Sequence, residues 1–160
     1  MNKNIKRITI ALLLTSALSQ PAFAQTMIDG SDVKEVLNIA RGYGAASLDK
    51  NDRGDPVIRG RIDGNAYYLA FLNCSSETSC EDFFIQSYFL NPIVDYKLIN
   101  EWNYDKRWTK IYYDKDMDVV LEMDFNLDGG VSLLNLEQTF SLWSKMLGAF
   151  HDGYLTKKEK

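Results

Sequence analysis

Residues 57–73 read VIRGRIDGNAYYLAFLN, and this stretch decides the fold. Val57 to Ile62 and Ala66 to Asn73 are runs rich in β-branched and aromatic residues, joined by the turn residues Asp63, Gly64 and Asn65. The pattern predicts a hairpin, whose strands run antiparallel. Asp82 to Phe89 predicts a third strand, paired to its predecessor through the loop that carries Cys74 and Cys80.

The same reading extends both ways. Upstream, Asp29 to Ser31 offers capping side chains, and Val33, Val36, Leu37 and Ala40 recur at helical spacing until Gly42 and Gly44. The polar run Asp49 to Pro56 is expected as a turn between elements. Downstream, Asn91 and Pro92 predict a helix start, followed by a stripe of Val94, Leu98, Ile99 and Trp102. Thr109 to Asp114 and Val119 to Phe125 predict two more strands across an acidic turn. In the second, Val119, Leu121, Met123 and Phe125 point inward while Glu122 and Asp124 point out. Leu133, Leu136, Phe140, Trp143, Leu147 and Phe150 step by three and four along a last long helix.

The expected order is α-β-β-β-α-β-β-α. It describes an α+β two-layer sandwich, an antiparallel sheet with helices packed on one face. The other face would then carry Tyr68, Gln86, Tyr88, Tyr112 and Glu122. An open face that is aromatic as well as polar is either solvated or a place where a partner docks. Tyr68, Tyr88 and Tyr112 are therefore candidate partner-binding residues.

Residues 1–24 stand apart. Lys3, Lys6 and Arg7 precede an uncharged run from Ile8 to Leu18, and Ala22-Phe23-Ala24 supplies small residues at the positions a signal peptidase reads. This predicts a Sec-type signal peptide cleaved before Gln25, and a periplasmic or secreted product. The run is far shorter than the roughly 20 residues that span a bilayer. Gln25 stands where a lipoprotein would need Cys, so no lipid anchor is expected. The product, residues 25–160, is expected as one domain with a frayed charged tail over 154–160. It would hold 15 basic and 22 acidic residues, a net charge of −7. That charge argues against nucleic acid and against anionic membrane as partners.

In an exported chain Cys74 and Cys80 are expected to form a disulfide, stabilising by about 2–2.5 kcal/mol on the chain-entropy model. Together with the single His151 they cannot furnish a rich metal site. Asp124, Asn126, Asp128 and Gly129 match the first half of a calcium loop. The twelfth position is Asn135 instead of a bidentate Glu, and the loop leaves a strand. Its structural alternative is a strand-to-helix turn. Arg53-Gly54-Asp55 spells an adhesion tripeptide, for which a turn before Pro56 is reason enough.

Gly54-Asp55-Pro56, Ile62-Asp63-Gly64, the Cys74/Cys80 pair, Asn100-Glu101-Trp102-Asn103 with Arg107-Trp108, and Gly129-Gly130, in this order, resemble the YbjN family of small bacterial proteins. The resemblance implies a fold similar to type III secretion chaperones, small acidic dimers that hold other polypeptides. It also implies a regulatory label in sensory transduction, which fits cytoplasmic members better than an exported one. No catalytic residue comes with the family. In the signature itself Trp102 fits a buried stripe, Asn103 suits a helix end, and Glu101 could pair with Arg107. The functional alternative makes Asn100, Glu101 and Arg107 ligand-binding residues.

No nucleophile elbow, phosphate loop or dinucleotide fingerprint is present, and one His leaves little for acid–base chemistry. The expectation is an exported, non-catalytic, chaperone-like module without a cofactor, holding an unidentified protein or peptide, with homodimer formation implied by the resemblance. Two other classes stand beside it: an envelope hydrolase using surface carboxylates, and a calcium-dependent structural module at Asp124 to Asp128.

Overall fold

A computed structural model describes residues 25–75, 79–90 and 94–155. The expected signal peptide, the Asn91-Pro92 helix start and the end of the charged tail lie outside the described residues. Six strands form one antiparallel sheet. They are β2 (Ala45–Lys50), β3 (Pro56–Ile62), β4 (Asn65–Leu72), β5 (Asp82–Phe89), β6 (Lys110–Tyr113) and β7 (Val119–Asn126), in spatial order β2-β3-β4-β5-β7-β6. A two-stranded ribbon pairs β1 (Met27–Ile28) with β8 (Val131–Ser132). The helices are α1 (Val33–Gly42), α2 (Tyr96–Asp105) and α3 (Leu133–Phe150), and α3 runs on into a π turn, His151–Leu155. The α+β class and the antiparallel sheet are as expected.

Three strands add to the expected order. β1 and β8 are two-residue pieces, too short for any periodicity to show. β2 lies where no strand was expected, its last two residues falling in the polar run from Asp49. Five of its six residues are exposed, so it carries no apolar alternation, yet it pairs with β3 over its whole length. Gly44 makes the entry: its φ is +156°, and a side chain there would meet the Arg61 carbonyl oxygen. α2 starts later than Asn91-Pro92 suggests, at Tyr96, where the Asp95 carboxylate accepts from the Lys97 N–H at 3.0 Å.

All three helices contribute to one core on one face of the sheet. Val36, Leu37 and Ala40 of α1, Trp102 of α2, and Leu136, Phe140, Trp143, Leu147 and Phe150 of α3 pack in it. The sheet supplies Ile58, Leu69, Phe71, Phe83, Ile85, Ile111, Leu121 and Met123. The stripe read from α3 is the buried stripe. Trp102 meets Phe150 edge-on, 5.2 Å between ring centres, and its indole N–H donates to Thr109 at 3.3 Å. Tyr67 lies over Gly60, where a side chain would collide with the ring. Among the described residues no helix is long and apolar enough to cross a membrane.

Candidate functional site

Register brings the opposite face together. Because side chains alternate along a strand, residues paired across neighbouring strands share a face. One row crosses the whole sheet: Ser47, Arg59, Tyr68, Gln86, Glu122 and Lys110. A neighbouring row holds Ala45, Arg61 and Ala66 on one side and Tyr88, Val120 and Tyr112 on the other. The tyrosines picked from the sequence are thus on one face, away from the helices.

Glu122 is the centre of this face and is only 7% exposed. Its carboxylate accepts from Lys110 Nζ at 2.6 Å, from the Tyr112 hydroxyl and from the Gln86 amide. Gln86 also donates to Tyr112 Oη at 3.1 Å and accepts from the Tyr88 hydroxyl. Burial pushes the Glu122 carboxyl up, but the hydrogen bonds from Lys110, Tyr112 and Gln86 outweigh it and hold the group below its ordinary value. Lys110 is raised by its bond to Glu122, against its own burial, with Asp124 adding to the effect. Burial raises both Tyr88 and Tyr112, followed by the Glu122 charge at Tyr88 and by the hydrogen bond to Glu122 at Tyr112. The network is a charged, hydrogen-bonded scaffold in which three donors, Lys110, Tyr112 and Gln86, hold the Glu122 carboxylate.

Beside it lies a groove of about 450 Å³, lined by Tyr68, Gln86, Tyr88, Arg59, Arg61 and Ala66 among others. Its floor is the sheet itself. Arg59 stacks on the Tyr68 ring at 5.0 Å, and Asp49 steadies Arg59 at 3.3 Å. Tyr88 is 48% exposed. The groove therefore offers two tyrosine rings, one of them half in water, beside two guanidinium groups. Tyr112 belongs to the Glu122 network more than to the groove, where it is not among the lining residues.

Arg59 and Lys110 were missed in the sequence. Their signal was the hairpin register: once Tyr68 and Glu122 are on the open face, the residues opposite them are too.

The signature residues are elsewhere. Asn100, Glu101 and Arg107 are exposed, on α2 and the turn after it, apart from the tyrosines. Glu101 stands 3.8 Å from Lys97 on the next helical turn, in place of the expected bridge to Arg107. Asn103 does more than end a helix. Its side-chain amide donates to the Ile111 carbonyl at 3.0 Å and its oxygen accepts from the Ile111 N–H at 2.9 Å, fastening α2 to β6.

The half calcium loop is used structurally. Asp124 binds Lys110 at 3.0 Å, and Asn126 Oδ1 accepts from the Asp128 N–H at 2.9 Å, a local turn. Among the described residues no three His, Cys, Asp or Glu side chains stand where they could share a metal ion. Arg53 and Asp55 of the adhesion tripeptide pair with each other at 3.1 Å in the β2–β3 turn. Cys74 and Cys80 form a disulfide across the β4–β5 loop.

Fold and face together define a class: a small α+β domain with one side of its sheet covered by helices and the other left as a polar, aromatic surface. The chain belongs to the YbjN family, whose model, described as "Putative bacterial sensory transduction regulator", matches residues 32–153. No curated protein matches the chain.

Proposed function

We propose that the protein is an exported, non-catalytic binding module that holds a polypeptide partner on the open face of its sheet. The observation that carries this reading is the Tyr68–Tyr88 groove, whose rings are set by Arg59 on one side and by the Gln86–Glu122–Lys110 network on the other. Tyrosine is a strong contact residue because it offers large area, few rotatable bonds and a polar end. A pre-positioned ring loses little further entropy on binding. The Cys74–Cys80 bond suits an oxidising compartment, and with the leader-like residues 1–24 it supports export to the periplasm. In this reading a regulatory role of the family is exercised through protein binding in the envelope.

The test is suppression of aggregation. Reduced insulin, whose B chain aggregates, is followed by light scattering with and without the purified protein. Suppression that is lost in a Tyr68→Ala/Tyr88→Ala double variant of unchanged melting temperature supports the reading. No suppression by the wild type overturns it.

A further inference from the structure

The sheet has a second opening, at the outer edge of β7. β6 pairs with β7 only from Lys110 opposite Glu122 to Tyr113 opposite Val119, whereas β7 runs on to Asn126. Which backbone groups this leaves bare follows from parity. Asn103 binds the N–H and C=O of Ile111, so those point away from β7, and the inter-strand bonds fall to Lys110 and Tyr112. Their partners Glu122 and Val120 set the even-numbered residues of β7 toward β6. The Leu127 N–H, odd-numbered, bonds Glu81 on the β5 side at 2.7 Å, as this parity requires. The N–H and C=O of Asp124 and Asn126 therefore point out of the sheet, with no backbone partner opposite them among the described residues.

Trp108 is what cuts the ladder. By register it would stand opposite Asp124, but its φ is +76°, a left-handed conformation costly for a bulky residue. The turn is held from both sides by α2: Lys106 N–H bonds the Trp102 carbonyl at 2.8 Å, and Thr109 holds the Trp102 indole. Trp108 is 68% exposed. It lines a groove of about 460 Å³ whose other walls include Phe125 of β7 and Asn135, Gln138, Leu142 and Lys145 of α3. An exposed ring on a strained backbone, beside a bared strand edge, is a combination that stability alone does not favour.

We infer that this edge takes an extended peptide as an added strand beside β7, with an apolar side chain seated between Trp108, Phe125 and Leu142. The inference rests on the polypeptide-binding reading and gives it a second contact, independent of the tyrosine groove. The occupant follows from the backbone: outward donors and acceptors on alternate residues repeat at about 6.7 Å, twice the rise per residue, the spacing of another extended strand. Positions opposite Met123 and Phe125 face the helix side and call for apolar residues. The position opposite Asp124 faces an exposed carboxylate and calls for a polar or basic one.

The probe is a capped heptapeptide in which valine alternates with threonine and lysine, titrated into the full protein and followed by NMR amide exchange. A control peptide carries N-methyl groups on alternate residues, so that one edge cannot donate. The expected result is exchange of the Asp124 and Asn126 amides slowed at least tenfold by the first peptide and unchanged by the second. Trp108→Gly and Trp108→Asn, both at ease at positive φ, are expected to weaken binding at least tenfold without lowering the melting temperature. Equal binding of the N-methylated peptide, unaltered affinity in both Trp108 variants, or no peptide bound would overturn the inference. So would protection of the same amides in the free protein together with a doubled hydrodynamic mass, since a second copy would then be the occupant. Perturbation confined to Tyr68 and Tyr88 would sink the edge site while leaving the proposed function standing. Failure to bind both this peptide and reduced insulin chains would sink both.

Discussion

Lys110 and Glu122 face each other on adjacent strands with Nζ 2.6 Å from Oε1, and this pair is the electrostatic centre of the open sheet face. One partner is half-exposed and the other buried, so the cost of removing either differs: Lys110 can return to water, whereas Glu122 cannot.

The pair gives the fold a pH signature. Glu122 has a folded pKa below its ordinary value near 4.5, so its contribution is present above that value and is lost as pH falls through the folded one. Lys110 is raised above its ordinary 10.5, so its contribution is present below 10.5 and is lost as pH rises through the folded value. Glu122→Gln should cost about 1–3 kcal/mol at pH 7, because three donors lose their charged acceptor. It should also flatten the acid limb of stability against pH, measured by urea unfolding between pH 3 and pH 7, in about half-unit steps. An unchanged acid limb would show that the carboxylate does not carry it.

Tyr67 makes an opposite case. Its hydroxyl is buried with no hydrogen-bond partner among the described residues, and burial pushes its pKa up to about 12. Tyr67→Phe should be neutral or stabilising by up to about 1–2 kcal/mol, since no bond is lost and a desolvated hydroxyl is removed. Gly60→Ala should destabilise, because its new Cβ would fall 2.3 Å from the Tyr67 ring. Thermal melts of the two variants should move in opposite directions, or Tyr67→Phe not at all.

Asn103→Ala should cost about 1–3 kcal/mol, since it removes two bonds to Ile111 and leaves that backbone unpaired. Amide exchange at Ile111 should quicken more than exchange at Leu121 on the next strand. Equal acceleration at both would mean global destabilisation, without a local clamp.

Reducing Cys74–Cys80, or replacing both by Ser, should lower stability by about 2–2.5 kcal/mol. The native fold should survive, because the β4 and β5 strands pair over five residues without the staple. Circular dichroism under reducing conditions tests both halves of this expectation.

The open face was legible because strand alternation is a strong signal: Gln86, Tyr88, Tyr112 and Glu122 fall on it because each stands next to a core residue, Ile85, Ile111 or Leu121, or one further alternation along. β2 was not, because an edge strand that buries little leaves no apolar pattern to read. Asn103 was recognisable as part of a signature but its partner was not, since the α2–β6 contact is made in space and has no sequence period. The Asp124–Asp128 spacing showed a loop chemistry, and only the positions of Lys110 and the Asp128 N–H show that Asp124 and Asn126 are engaged within the fold. Trp108 was read as a family residue; its left-handed backbone and exposure depend on how α2 ends.

The most direct measurement is the affinity of the protein for a permanently unfolded chain, such as reduced and carboxymethylated α-lactalbumin, by isothermal titration calorimetry. Wild type should bind, and the Tyr68→Ala/Tyr88→Ala variant should bind at least tenfold more weakly with the same melting temperature. Equal affinity in the two proteins, or no heat with either, would contradict polypeptide binding on the open face.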